Sequence, residues 1–274
     1  MGRLESLSSA NAEQTLAYLA HHPHDNVYVG WMIAAGRLGR GAEVALWRDA
    51  DEQIAGACYY GPQIVLCGEE DDAVDAFADI AKRIRSPRMI VGPRAAVERL
   101  REVARGSLPR PSAIRESQPV YVLDRSTLRY GRAGAAVTRA SLAELDEIVP
   151  NSAAMIAGEV GGDPRNPSAE FRARTARIVE SGWWWSYRVD GALAFMCNVG
   201  SAAFGTAQLQ GVWTPPALRG HGHAATALGA ICDHLLDEHA TLCLYVNDFN
   251  SAAIKLYERV GFKRAGEFQT LLFT

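Results

Sequence analysis

A chain of 274 residues is longer than one typical domain of about 100–150 residues and has room for two, each with its own core. Hydrophobic residues at 48% and charged residues at 22% are the proportions of a folded globular protein and exclude a disordered one. A formal net charge of -3 and a pI near 6.2 supply no general field for nucleic acid or an anionic membrane, so any bound anion must be held by a local site.

Before Gly131 the apolar and β-branched runs predict strands at Val44 to Arg48, Ile54 to Tyr60 and Ile64 to Cys67. An acidic-started helix to Ile84, a strand at Met89 to Val91 and a helix from Arg94 to Arg105 follow. The polar, Gly-containing stretch from Asp124 to Ala135 reads as a linker, which divides the chain into residues 1–130 and 131–274. Beyond it come a strand at Ala136 to Arg139, a helix from Ser141, a Gly/Pro-rich loop from Gly158 to Pro167 and a second helix to about Glu180. Trp183 to Val189 and Ala192 to Val199 are strands split at the hairpin dipeptide Asp190-Gly191, and Thr206 to Thr214 is a third. Residues 191–218 carry no charge, but Asn198, Ser201, Gln208, Gln210 and two prolines mark them as a buried hairpin and not a membrane span.

Pro215-Pro216 ends that strand, and Ala224, Ala227, Leu228, Ile231 and Leu235 repeat at the spacing of one helix face. Leu242 to Val246 then reads as a strand, and Asn250 to Val260 as an Asn-capped helix closed by Gly261. Lys263 to Phe273 is the last strand. The two halves repeat one order of elements, so a tandem duplication with a degenerate first copy is expected.

The chemistry concentrates in Arg219-Gly220-His221-Gly222-His223-Ala224, placed between a strand and a helix. Free N–H groups at a helix N-terminus, with glycines that let the backbone come close, suit a phosphate, and this helix has no acidic residue until Asp233. At the matching place in the first half, Gly68-Glu69-Glu70-Asp71-Asp72 puts four carboxylates, which favour the helix dipole and repel an anion.

RGHGHA fits the R/Q-x-x-G-x-G/A signature, and LYVNDFNSAAIKLYERVGF resembles the second motif, of the GNAT acetyltransferase superfamily. The resemblance covers about residues 136–274, and the layout looks like two-domain GNAT proteins. It implies an α/β fold of two tandem GNAT-like domains, each a mixed, twisted sheet flanked by helices. It also implies acetyl-CoA as cosubstrate, an amine acceptor and no metal, with neither nucleic acid nor membrane as partner. Carried over, the backbone at Val212, Trp213 and Thr214 pairs with the pantetheine arm, and Arg219, Gly220, His221, Gly222, His223, Ala224 and Ala225 hold the pyrophosphate. Asn247, Asn250, Ala253 and Tyr257 flank the arm. Tyr257, two helical turns after Asn250, is the expected general acid. Because an ordinary tyrosine titrates about 1.5 units above a thiol, a hydrogen bond to the thiolate is its safer description. Family members often carry a carboxylate base on the strand before the turn, but TAQLQGVWT has only Gln208 and Gln210 there. Glu159 is the candidate base, with Asp163 nearby in the same loop. Without a strand carboxylate, an α-amine near pKa 7.8 is an easier acceptor than a lysine-like amine near 10.4. The alternative is a non-catalytic acyl-CoA-binding regulatory module.

Other features point to packing. His21, His22 and His24 read as a helix-end group, and Trp183 to Trp185 as core or interdomain aromatics alternating between sheet faces. Five cysteines, an odd number without a CxxC pair, indicate neither zinc nor a disulfide framework and fit a reducing cytoplasm. A basic-then-apolar leader is missing, which agrees.

Overall fold

The computed structural model describes residues 2–38, 42–84, 87–131, 136–160 and 165–273, with the side chains of 159 and 160 outside that description. The first half runs β1 (Arg3–Ser6), α1 (Ala12–Ala20), α2 (Pro23–Ala34), β2 (Glu43–Arg48), β3 (Ile54–Tyr60), β4 (Ile64–Cys67), α3 (Asp71–Ala81), β5 (Met89–Pro93), α4 (Arg94–Val103) and β6 (Ala113–Asp124). The second repeats that order: β7 (Val137–Arg139), α5 (Leu145–Val160), α6 (Ala169–Glu180), β8 (Trp184–Val189), β9 (Ala192–Ala203), β10 (Thr206–Trp213), α7 (His223–Leu235), β11 (Thr241–Tyr245), α8 (Ser251–Val260) and β12 (Lys263–Leu272). The expected pair of sheets is one continuous sheet of 12 strands, ordered β1-β2-β3-β4-β5-β12-β6-β11-β10-β9-β8-β7. It joins because the last strands are exchanged: β12 pairs with β5 of the first half, and β6 pairs with β11 of the second. β12 and β6 also pair with each other, in the middle.

In the second half α7 and α8 cover one face, where Leu228, Ile231, Leu235 and Val260 pack on Phe195, Leu209, Leu242 and Leu244. α5 and α6 cover the outer part of the other face, over Trp184, Leu193 and Met196. The inner part is covered by α2 from the first half, whose Val29 and Met32 share a cluster with Val120, Phe268, Phe204 and Tyr245. Gly30 makes that docking possible, since a Cβ there would lie 2.2 Å from the Phe204 ring. Trp184 and Trp185 alternate as expected, with Trp184 facing α5 and α6 and Trp185 facing α7, while Trp183, just ahead of β8, borders the α7-side cluster and also meets Trp31 of α2 at 5.7 Å.

The segment read as a linker is docked onto the second half through its described part. Arg125 pairs with Asp233 and Asp237, Arg129 N–H donates to Val260 O at 2.9 Å, and Tyr130 packs on Gly229. α5 is longer than expected and runs through Val160, so Glu159 belongs to its last turn and not to a loop. No helix among the described residues is long and apolar enough to cross a membrane.

Candidate functional site

β10 and β11 run parallel and pair only over Thr206↔Thr241, Ala207↔Leu242 and Gln208↔Cys243. Past Gln208 the strands separate, leaving the β10 edge from Leu209 to Trp213 and the β11 edge at Leu244 and Tyr245 unpaired toward each other. A bulge shapes the β10 side of this opening, with register shifts against β9 after Gln208 and after Gln210. Gly211 sits at φ +64 in the bulge, and a Cβ there would come within 2.4 Å of Asn198 Oδ1, so glycine is required on both counts. Strand periodicity predicts a continuous run from Thr206 to Thr214, and Gly211 is the one sign of the bulge in the sequence. The bulge brings the backbone of Val212, Trp213 and Thr214 to the opening, and Trp213 is anchored by Nε1–H donating to Asn151 Oδ1 at 3.1 Å.

Beyond a short 3-10 turn at Pro216–Leu218, the chain enters the glycine turn at the head of α7. Gly220 and Gly222 both have φ +82, and space for a Cβ is open at each, so the turn is an exposed, uncluttered cradle. Gly222 is the N-cap, and no carboxylate lies in the first turn of α7. The N–H groups from Gly220 to Ala225 have no acceptor among the described residues, so they remain available to an anion. Arg219 folds over the Trp213 ring at 4.5 Å and donates Nε–H to Thr214 O at 3.0 Å, tying the turn to the end of β10. His221 stacks on His223 at 5.9 Å, and Tyr187 contacts His223 at 6.0 Å.

Across the opening, Asn250 caps α8 by accepting from Ala253 N–H at 3.2 Å, and Gly261 closes the helix at φ 120. Tyr257 is 7% exposed and packs between Tyr121 at 6.3 Å and Phe262 at 5.9 Å. Asn247 is buried at the end of β11, bonded to Gln118. Gln208 and Gln210 bond each other at 3.2 Å on the face away from α7. Asp163 lies outside the described residues, as does the side chain of Glu159. Cys243 is fully buried, and burial pushes its thiol well up; it fills space against α2, with Sγ–H toward His24 O at 3.7 Å. His21 caps α1, His22 caps α2, and His24 lies 3.2 Å from the Thr241 hydroxyl.

In the first half the matching opening is shut. β4 and β5 pair at Ile64↔Ile90 and Val65↔Val91, and Gly92 then packs so close to Leu66 that a Cβ would lie 2.8 Å from its Cβ and 2.9 Å from its carbonyl oxygen. At the head of α3, Arg99 pairs with Asp71 and Asp75, which leaves Asp72, Glu69 and Glu70 as the acidic surface of that turn.

A parallel strand pair that opens beside a glycine turn and a helix N-terminus leaves two adjoining surfaces of unsatisfied backbone groups. In the family comparisons, residues 155–262 match the Acetyltransferase (GNAT) family, which places a GNAT acetyltransferase domain over that stretch. Residues 44–148 match a different family, described as a domain of unknown function (DUF4081). Among solved structures, a GNAT-family acetyltransferase from Colwellia psychrerythraea is similar over 99% of this chain and 100% of its own, at 12% identity and a TM-score of 0.57. A tandem GNAT protein from the clavulanic acid biosynthesis pathway is similar over 99% and 98%, at 15% identity and a TM-score of 0.57. A GCN5-related N-acetyltransferase from Sphaerobacter thermophilus covers 98% and 94%, at 14% identity and a TM-score of 0.62. These likenesses show the fold: two tandem GNAT-like units in one chain. No curated protein matches the sequence.

Proposed function

We propose that the chain is an N-acetyltransferase that moves an acetyl group from acetyl-CoA to a primary amine, with one site, in the second half. The observation that carries this reading is the meeting of two unsatisfied surfaces: the N–H groups of 220–225 and the separated edges of β10 and β11. The first suits a pyrophosphate and the second an extended arm, and they are joined by Arg219. On this reading the first half is a degenerate copy, closed at Gly92 and acidic at the head of α3, and the protein works in the cytoplasm, where its five free thiols would stay reduced.

Arg219 to Ala225 would hold the pyrophosphate, and the backbone at Val212 to Thr214 would pair with the pantetheine arm, with Asn250 and Ala253 opposite. Bound there, acetyl-CoA supplies an activated acyl group. Tyr257, held by Tyr121 and Phe262, would offer its hydroxyl to the departing sulfur. Neither Gln208 nor Gln210 can take the proton of the amine, so Glu159 at the end of α5 is the proposed base. An acceptor of low amine pKa asks least of it.

Thiol release from acetyl-CoA with a panel of amines tests the reading. Turnover with at least one amine is expected. Tight CoA binding with no turnover on any amine would make the protein a non-catalytic acyl-CoA-binding regulatory module.

A further inference from the structure

Three buried polar side chains where the halves meet form one hydrogen-bonded line. The Thr270 hydroxyl of β12 donates to Gln118 Oε1 at 2.5 Å, and Gln118 Nε2 of β6 donates to Asn247 Oδ1 at 3.0 Å. Thr270, Gln118 and Asn247 are 1%, 1% and 6% exposed, so neither amide can trade its partners for water without leaving a buried polar group unpaired. In this arrangement the Asn247 amide has Oδ1 occupied and the two protons of Nδ2 left over. No described residue accepts them. Nevertheless Nδ2 is not sealed away, because among the described residues the fully buried side-chain nitrogens and oxygens without a partner are Asn26 Oδ1, Trp184 Nε1, Trp185 Nε1 and Gln269 Oε1.

Position decides what those protons can meet. Asn247 lies two residues past the end of β11, beyond the point where β11 leaves β10. Tyr257 shares the α7 face with Leu242, Leu244 and Val246, whereas Val120, Tyr245 and Phe268, which neighbour the line, belong to the opposite face. Asn247 is thus across the sheet from the tyrosine proposed to meet the sulfur, where on the reading above it would face the acceptor and not flank the arm as the resemblance implies. The polar side chains of β9 and β10 on that face, Asn198, Ser201, Gln208 and Gln210, are all uncharged. Nothing on these two strands pairs with a second cationic group, α2 brings one carboxylate, Asp25, to that face beside Cys243 and Gly266, and a neutral amide donor such as Nδ2 suits a neutral oxygen.

We propose that Asn247 Nδ2 is the recognition donor for a carbonyl oxygen flanking the reacting amine, so that the acceptor is an α-amino acyl compound, an amino-acid amide or a peptide N-terminus. Gln118, from the first half, is the positioning residue that turns the donor toward it. This rests on the acetyl-transfer reading above and narrows its acceptor. It also agrees with the low pKa of α-amines beside a carbonyl.

Gln118→Glu keeps the shape and reverses the polarity. Ionised, the introduced carboxylate can accept from Thr270 but cannot donate to Asn247, whose amide turns over and presents Oδ1; protonated, it donates again. The assay compares L-alaninamide with n-propylamine, which lacks the carbonyl, using acetyl-CoA and the full chain at pH 6 and pH 9. Wild type is expected to prefer L-alaninamide in kcat/KM by about tenfold or more at both pH values, once each amine's free-base fraction is allowed for. In Gln118→Glu that preference should collapse at pH 9 and return toward pH 6, while KM for acetyl-CoA stays within about twofold. Asn247→Ala should lose the preference at both pH values, which serves if Gln118→Glu does not fold. Overturning results are a wild type without the preference, no turnover of L-alaninamide by protein that acetylates other amines, or variants that keep the wild-type preference at pH 9. Failure to bind acetyl-CoA by titration calorimetry would instead sink the acetyl-transfer reading, and this inference with it.

Discussion

Gly222→Glu separates the role of the glycine turn from its contribution to folding. The residue has φ +82, and an added Cβ meets nothing within 4 Å, so the structural cost is that of holding a non-glycine residue in the left-handed region, about 1–2 kcal/mol. Against a typical stability of about 5–15 kcal/mol the protein stays folded, with Tm lowered by roughly 2–8 °C. Binding is hit harder. A carboxylate about 5 Å from a phosphate charge at an effective dielectric of about 20 is repelled by about 3 kcal/mol. Salt at an exposed turn reduces this to about 2 kcal/mol, or about thirtyfold in Kd. Gly222→Gln carries the same strain and bulk without the charge and should bind CoA much more tightly than Gly222→Glu. Calorimetry with CoA on the three proteins measures the difference, and S-acetyl-pantetheine, which lacks the pyrophosphate, should not distinguish Glu from Gln. Equal CoA affinity in the two variants would refute the assignment of the pyrophosphate to this turn.

Tyr257→Phe should keep the fold and acetyl-CoA affinity, because the ring contacts with Tyr121 and Phe262 survive, while turnover falls by about tenfold to a hundredfold. Unchanged turnover under chemistry-limited conditions would reduce Tyr257 to packing. Titration of the intact chain should give one CoA, and Arg219→Glu should weaken that site; two sites, or a full site in the variant, would mean that the first half binds CoA. Glu144 is also expected to leave a pH signature. Burial alone would raise its pKa, but the Ser141 N–H at 2.8 Å, the Ser186 hydroxyl at 2.9 Å and Arg188 at 3.2 Å outweigh burial and hold it below the usual carboxylate range. Its stabilisation is therefore present above about pH 4.3 and lost as pH falls through the lower folded value. The gap in urea midpoint between wild type and Glu144→Gln should shrink in acid, and a gap independent of pH would reject the account.

Much of the site is legible in the sequence because its chemistry is local. A left-handed glycine at a helix N-cap, an Asn cap three residues before the N–H it accepts from, and Gly261 at a helix end are each set by a few neighbouring residues. The missed elements depend on distant partners. β6 begins Ala113-Ile114-Arg115-Glu116-Ser117-Gln118-Pro119, too polar to announce a central strand, and it becomes one because β11 and β12 flank it from the other half. α2 buries Asn26, Val27, Val29, Gly30 and Met32 between its own half and the next, so its apolar positions lack a single-face period. Gln118 is invisible for the same reason: it looks like a surface residue until β12 and the end of β11 close around it.

If the first half has no cosubstrate site of its own, as proposed, the exchange of last strands bears on why it persists. Every residue of β11 from Thr241 to Tyr245 pairs with β6, from Asp124 back to Val120. Remove the first half and β11 becomes a bare edge on the side away from the cleft, an aggregation hazard of the kind folded sheets avoid. Removing the second half exposes β5 in the same way, since β12 alone covers it from Met89 to Pro93. Neither half therefore finishes its own sheet, and the two cannot separate as independent domains do. The wall of the cleft follows from that constraint: α2 covers the inner face of β9 to β11, and β6 supplies the neighbour that orients Asn247. On the proposed reading, the first half has given up a ligand of its own and retained the geometry of its partner's site, which depends on Gly30, Gln118 and the β6 ladder and not on the head of α3.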